Sequence, residues 1–230
     1  FDSPSHTIRM LALDRLTDEI GASTLPALRA AFRGGPTVNR RLHSLWGLYR
    51  LGAMTAEEVD AAISDPSALL RSHAFRLLGE LTSSASHGES LGFSNQQIET
   101  WLTIGLEDAD ALVNRTAAMA ATHFSTTGLA SSLLSLQRKV PPSDVHLRHA
   151  TRMALRHQMR DATIFQSLSK QATADEVPLL AGICLALQSR ESAEFLAESI
   201  PVLAERDPDR LGEYIRLALK GVTDETANSI

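Results

Sequence analysis

The sequence predicts an all-α chain, an α-α superhelix (solenoid) of about six two-helix repeats. Two observations lead there. The first is composition: of 230 residues only 11 are aromatic. The apolar 43% therefore rests on Leu, Ala, Ile and Val. Leu and Ala favour helix, and no run alternates apolar with polar as a half-buried strand does. The second is self-similarity. Ser3-Pro-Ser-His-Thr-Ile-Arg9 and Asp65-Pro-Ser-Ala-Leu-Leu-Arg71 each place Arg six positions after a capping residue, and Ala12 and Ala74 follow three later. Arg41 and Ser44 fill the same two slots, and small residues return at Ala117, Thr151 and Cys184. The spacings are 32, 30, 43, 34 and 33 residues, a period that signals stacked helix pairs.

The elements follow in order. Ser3-Pro4 opens a helix over 5–19, since the hydroxyl caps an orphan N–H and Pro in the first turn needs none. Apolar periodicity places further helices over 23–33 and 37–51. Thr55…Glu58 forms a capping box for 55–63, and Asp65-Pro66 opens 66–81. The long spacing of 43 marks an insertion over 83–93, rich in Ser and Gly and read as a protruding loop. Ser94…Gln97 opens 95–106, followed by 110–124, 129–139, 143–159 and 162–170. Thr173…Glu176 opens 175–188, and 191–205 precedes Asp207-Pro208 and the last helix over 208–220. The whole chain, 1–230, reads as one repeat domain. Its predicted core includes Leu11, Leu45, Trp46, Leu48, Leu70, Phe75, Leu78, Trp101, Leu102, Met119, Leu133, Leu155, Ile164, Leu180, Leu185, Phe195, Ile200, Ile215 and Leu219.

The Asp-Pro start, the Leu/Val-Arg pair and the Ala three later resemble HEAT repeats over nearly the whole chain. That resemblance implies a right-handed superhelix acting as a binding scaffold. More narrowly, His43-Ser-Leu-Trp-Gly-Leu-Tyr-Arg-Leu-Gly-Ala53 with Asp65-Pro66…Arg71-Ser-His-Ala-Phe-Arg-Leu-Leu-Gly-Glu80 resembles the HEAT segment of large secreted proteins of planctomycetes and their relatives. Those join a sugar-dehydrogenase-like β-propeller, HEAT repeats and a C-terminal c-type haem domain. On that resemblance the chain is the middle module of an exported protein, periplasmic or secreted; without it, a cytoplasmic placement is the default. The opening on Phe1 rather than Met also reads as a fragment of a longer polypeptide.

Composition excludes other classes. One cysteine rules out a disulfide framework, and no apolar stretch approaches the ~18 residues of a membrane span. The net charge of −5 is unevenly spread: residues 171–230 hold 11 acidic and five basic groups, while the rest is near balance. An acidic chain lacks the basic groove that phosphate binding requires, so no nucleic-acid partner is expected.

Candidate chemistry is sparse. Gly88-Glu-Ser90-Leu-Gly92 with His87 matches a nucleophile-elbow pattern but has no preceding strand, so a chance match is favoured. His146 and His149 share a helix face without further ligands, so no metal and no cofactor are assigned. Asn114-Arg-Thr116 is a sequon inside a helix and is discounted; Cys184 fills a buried crossing slot. The sharpest feature is Arg148, Arg152, Arg156 and Arg160, one ridge at four-residue spacing with His149 beside it. Like charges so placed repel by a few tenths of a kcal/mol per pair. Salt bridges to the acidic C-terminal repeats are the favoured explanation, and an anionic partner is the functional one. The reading is a non-catalytic scaffold, binding a protein partner or sister domains of its own polypeptide. The alternatives are a HEAT-fold alkylpurine DNA glycosylase and, with no positive support, a bilin lyase-like protein. The repeat register has a direct test. Ala74→Leu overpacks the crossing and lowers stability by on the order of 1–3 kcal/mol in thermal unfolding; an unchanged midpoint counts against the register.

Overall fold

The computed structural model describes residues 1–83 and 92–227, with side chains through residue 221. All regular structure among these residues is helical. The helices are α1 (His6–Asp14), α2 (Leu25–Gly34), α3 (Val38–Arg50), α4 (Ala56–Ile63), α5 (Ala68–Ser83), α6 (Asn95–Leu106) and α7 (Ala111–Ala120). They continue as α8 (Thr127–Lys139), α9 (Val145–Gln158), α10 (Ala162–Gln171), α11 (Val177–Leu187), α12 (Arg190–Arg206) and α13 (Leu211–Ala227). A wider π turn over Arg15–Ile20 extends α1, and a tight 3-10 turn over Ala121–His123 extends α7. The loop expected at 83–93 lies mostly on residues 84–91, outside the described residues.

The chain forms two compact units. Unit 1 comprises 1–124 and 140–150; unit 2 comprises 125–139 and 151–230. In unit 1, α2 packs on α3, α4 on α5 and α6 on α7, while α3 touches α5 and α5 packs along α7. In unit 2, α12 packs against α11 and α13, and α10 against α8.

One device recurs at the start of α1, α3, α5 and α7 in unit 1. Arg9 Nη1 donates to the Ser3 carbonyl at 2.7 Å, Arg41 Nη1 to Gly35 at 3.1 Å, and Arg71 Nη1 to Asp65 at 2.9 Å. Asn114 Nδ2 does the same to Asp108 at 2.9 Å. Each side chain thus reaches back six residues and ties the turn that leads into its own helix. The other edge of the guanidinium reaches forward to the next turn. Arg41 forks onto both Asp65 oxygens at 2.8 and 3.0 Å, and Arg71 onto both Asp108 oxygens at 2.7 and 2.9 Å. These carboxylates also accept the N–H two residues on, from Ser67 and Asp110. The fork geometry suits Arg and could not be met by the point charge of Lys.

First helices have their own link. Glu58, 1% exposed, closes the capping box with Thr55 and accepts from Arg29 Nε at 2.8 Å. In unit 2 Glu176 accepts from Thr173 and pairs with Arg138 in the same manner. Small residues permit the close crossings. A Cβ on Gly105 would come within 2.6 Å of both Phe75 and Ala117, and one on Gly79 within 3.2 Å of the Ala120 Cα.

The core departs from expectation at particular positions. Leu45, Leu48, Leu70, Phe75, Leu78, Leu102, Leu133, Leu155 and Leu180 are buried, whereas Leu11, Met119, Ile215 and Leu219 are exposed and Trp46, Leu185 and Ile200 only half-buried. On α13 the buried positions are Tyr214 and Ala218, one residue before the pair expected, a rotation of about 100°. Tyr214 wins the inward place because its hydroxyl donates to Asp207 at 2.6 Å while its ring is covered. No helix among the described residues is long and apolar enough to cross a membrane.

The forward fork is testable. Arg71→Ala and Asp108→Ala should each lower stability by about 2–3 kcal/mol, since removing either leaves a largely buried charge unpaired. In chemical denaturation the double variant should cost well under the sum of the two. Strict additivity would show that the pair is not coupled.

Candidate functional site

The arginine ridge lies on α9 and the turn after it. Arg148 and His149 belong to unit 1, and Arg152, Arg156 and Arg160 to unit 2. Within unit 2 none of the last three forms an ion pair among the described residues. The salt bridges expected with the acidic C-terminal stretch are not made there. Four of its carboxylates pair with other cations instead: Glu176 with Arg138, Asp175 with Arg206, Glu194 with Arg190 and Glu213 with Arg210. Two of these pairs are only three or four residues apart in sequence, Arg190–Glu194 within α12 and Arg210–Glu213 at the start of α13, so a local side chain reaches first. Within unit 2, Arg152 and Arg156 pack over α11. Arg156 Nη2 donates to the Ala186 carbonyl at 2.9 Å, and its Nε is buried without a partner. Arg152 and Arg210 both stand over Gly182, where a Cβ would approach their nitrogens to 3.2 and 3.4 Å.

A different constellation gathers in unit 1, on side chains that sequence reasoning assigns elsewhere. Trp46 Nε1 donates to His73 Nδ1 at 3.1 Å, so His73 accepts there and is neutral. The Arg76 guanidinium lies 5.6 Å over the Trp46 ring, and Tyr49 meets that ring edge-on at 5.8 Å. Helical spacing explains the grouping. Trp46 and Tyr49 are three apart on α3, His73 and Arg76 three apart on α5, and Arg115 and Met119 four apart on α7. The core stripe of α3 runs through Leu42, Leu45 and Leu48, so Trp46 falls beside it and only half-buried. That offset is the signal by which the residue can be found.

Between α5 and α7 a cavity of about 430 Å³ is walled by Arg76, Glu80, Arg115, Met119 and His123. Gly79 and Ala120 lie beneath it, so close that a Cβ on Gly79 would come within 3.2 Å of the Ala120 Cα. Met119 is 53% exposed. Electrostatics are set by burial here. Desolvation pushes the His73 imidazole below its ordinary value, with the Arg76 and His43 charges adding. His43 is lowered chiefly by burial, against a raising bond to the Asn39 carbonyl, with Arg9, His6 and the amino terminus contributing. Burial raises Tyr49, and Glu80 adds to it.

Unit 2 carries a second groove, of about 610 Å³, between α10 and α12. Glu191, Glu194 and Glu198 line it together with Lys170, over the edge-on pair Phe165 and Phe195.

The remaining motifs are quickly placed. Ser90 and His87 fall outside the described residues. Asn114 is buried and donates to the carbonyls of Gly105, Leu106 and Asp108, closing the end of α6. Cys184 is buried, and burial pushes its thiol up to about 12. No group of three or more metal-ligating side chains gathers among the described residues. Comparison with known families, curated proteins and solved structures finds no significant match.

The histidines give a pH dependence with a definite sign. In the unfolded chain both titrate near 6.5, and in the folded chain lower. The unfolded state therefore binds more protons just below pH 6.5, so stability is full above that pH and declines as pH falls through it. His43→Gln with His73→Gln should flatten the decline measured by denaturant midpoint between pH 7 and 5; an equal slope would mean other groups carry it.

Proposed function

We propose that the chain is a non-catalytic helical-repeat scaffold of HEAT-like, α-α superhelical form, presenting a face to a protein partner or to sister domains of its own polypeptide. The slot filled by Arg9, Arg41, Arg71 and Asn114 supports the repeat reading: the turns into α1, α3, α5 and α7 use one six-residue bond, and Arg41 and Arg71 each pass a fork to the next of these turns. The observation that carries the function is the face of unit 1. It exposes aromatic, cationic and methionine side chains together, the types that anchor protein interfaces.

Photocrosslinking in cells that express the chain tests this. A photoreactive residue at Tyr49 or Met119 should yield discrete protein adducts, while one at exposed Glu57 on α4 should not. Absence of protein adducts from every position, or adducts to nucleic acid from the unit 1 face, would contradict the scaffold and favour the glycosylase.

A further inference from the structure

Resting on the scaffold reading, we propose that the groove between α5 and α7 receives an acidic segment of a partner protein that also carries a long apolar side chain. Charge complementarity is the first reason. Arg76 and Arg115 flank the groove from opposite helices, with His123 at its rim and Glu80 the acidic wall residue. Neither arginine forms an ion pair among the described residues, although most other arginines of unit 1 do: Arg29, Arg40, Arg41, Arg50 and Arg71 each have a carboxylate. Arg115 is half-buried, so its charge already bears part of a desolvation cost that an incoming carboxylate would offset.

Preorganisation is the second reason. Arg76 is held by the Trp46 face, and the Trp46 indole is itself fixed by its bond to His73. A guanidinium already placed loses less freedom when it binds. The third reason is shape and apolar character. The Gly79–Ala120 crossing leaves a concave floor, and Met119 stands exposed at the edge. An unbranched thioether adapts to apolar side chains of varied shape. A polyphosphate backbone would meet the arginines but would face Glu80 and leave Met119 without use. An acidic, leucine- or phenylalanine-bearing peptide uses both.

The test uses the full chain and does not require the partner to be identified. Random dodecapeptides displayed on phage are selected at physiological salt, and the enriched peptides are then synthesised with a fluorophore for anisotropy titration. The inference expects enrichment of Asp and Glu together with Leu, Met or Phe. Arg76→Glu and Arg115→Glu should each weaken binding about tenfold or more. Arg115→Gln, which keeps length and polarity, should weaken it less, and Glu80→Lys should tighten it. Circular dichroism of each variant keeps folding separate from binding.

Enrichment of peptides whose affinity ignores all four substitutions would overturn this groove while leaving the scaffold intact. Recovery of no binding peptide at all would overturn both. Displacement of the peptide by a single-stranded oligonucleotide at lower concentration than by an unlabelled acidic peptide would assign the groove to nucleic acid and overturn the inference. So would concentration-dependent self-association abolished by Glu194→Lys on α12, which would make a second copy the occupant.

Discussion

The guanidinium of Arg71 holds together three pieces of chain that helix packing alone would leave free to slide. One edge ties the Asp65-Pro66 turn through two carbonyls, and the other grips both oxygens of Asp108, 37 residues further on. Asp108 is in turn fixed by the Asp110 N–H, and its own carbonyl is held by Asn114. Arg41 does the same one turn earlier through Gly35 and Asp65. At the Asp65 and Asp108 turns the backbone carbonyl is thereby held by the helix it introduces and the carboxylate by an earlier one. A buried network with every member bonded fixes one register rather than several.

Packing and the exposed face both depend on that register. With it fixed at the turns, α5 and α7 can approach at Gly79 and Ala120, and α6 can approach both at Gly105, beside Phe75 and Ala117, where no large side chain would fit. Each helix in that stack then has one edge committed to the arginine network and one stripe committed to the core. What remains faces outward: Trp46 and Tyr49 on α3, His73 and Arg76 on α5, Arg115 and Met119 on α7. Their alignment across three helices comes from a common register set by the turns, not from contacts among themselves alone.

The same logic separates what is legible in the sequence from what is not. Caps and prolines are local, the Arg and small-residue slots recur, and the helices lie within a few residues of their expected bounds except α13, which runs to Ala227 rather than 220. Exposure at Leu11 and Met119 is not legible, because an apolar stripe reads as buried whether or not a neighbour covers it. On α13, Tyr214 against Ile215 is decided by one hydrogen bond to Asp207, which no periodicity reveals. The Arg152, Arg156 and Arg160 ridge is plain in the sequence, but segment charge misleads about its salt bridges. Pairing depends on which cation lies within a few ångströms, and Arg138, Arg190, Arg206 and Arg210 are closer. Trp46 reads as core because a large aromatic at helical spacing is usually buried, and here it flanks the stripe instead.

The decisive measurement is native-state hydrogen exchange on Arg71→Ala. If the arginine couples successive turns, amides at the start of α5 and at the start of α7 lose protection together, while those of α2 and α3 keep theirs. Loss confined to the first turn of α5, with the Asp108–Asn114 turn as protected as in the unaltered chain, would show that the fork is ornament to the packing and would contradict its organising role.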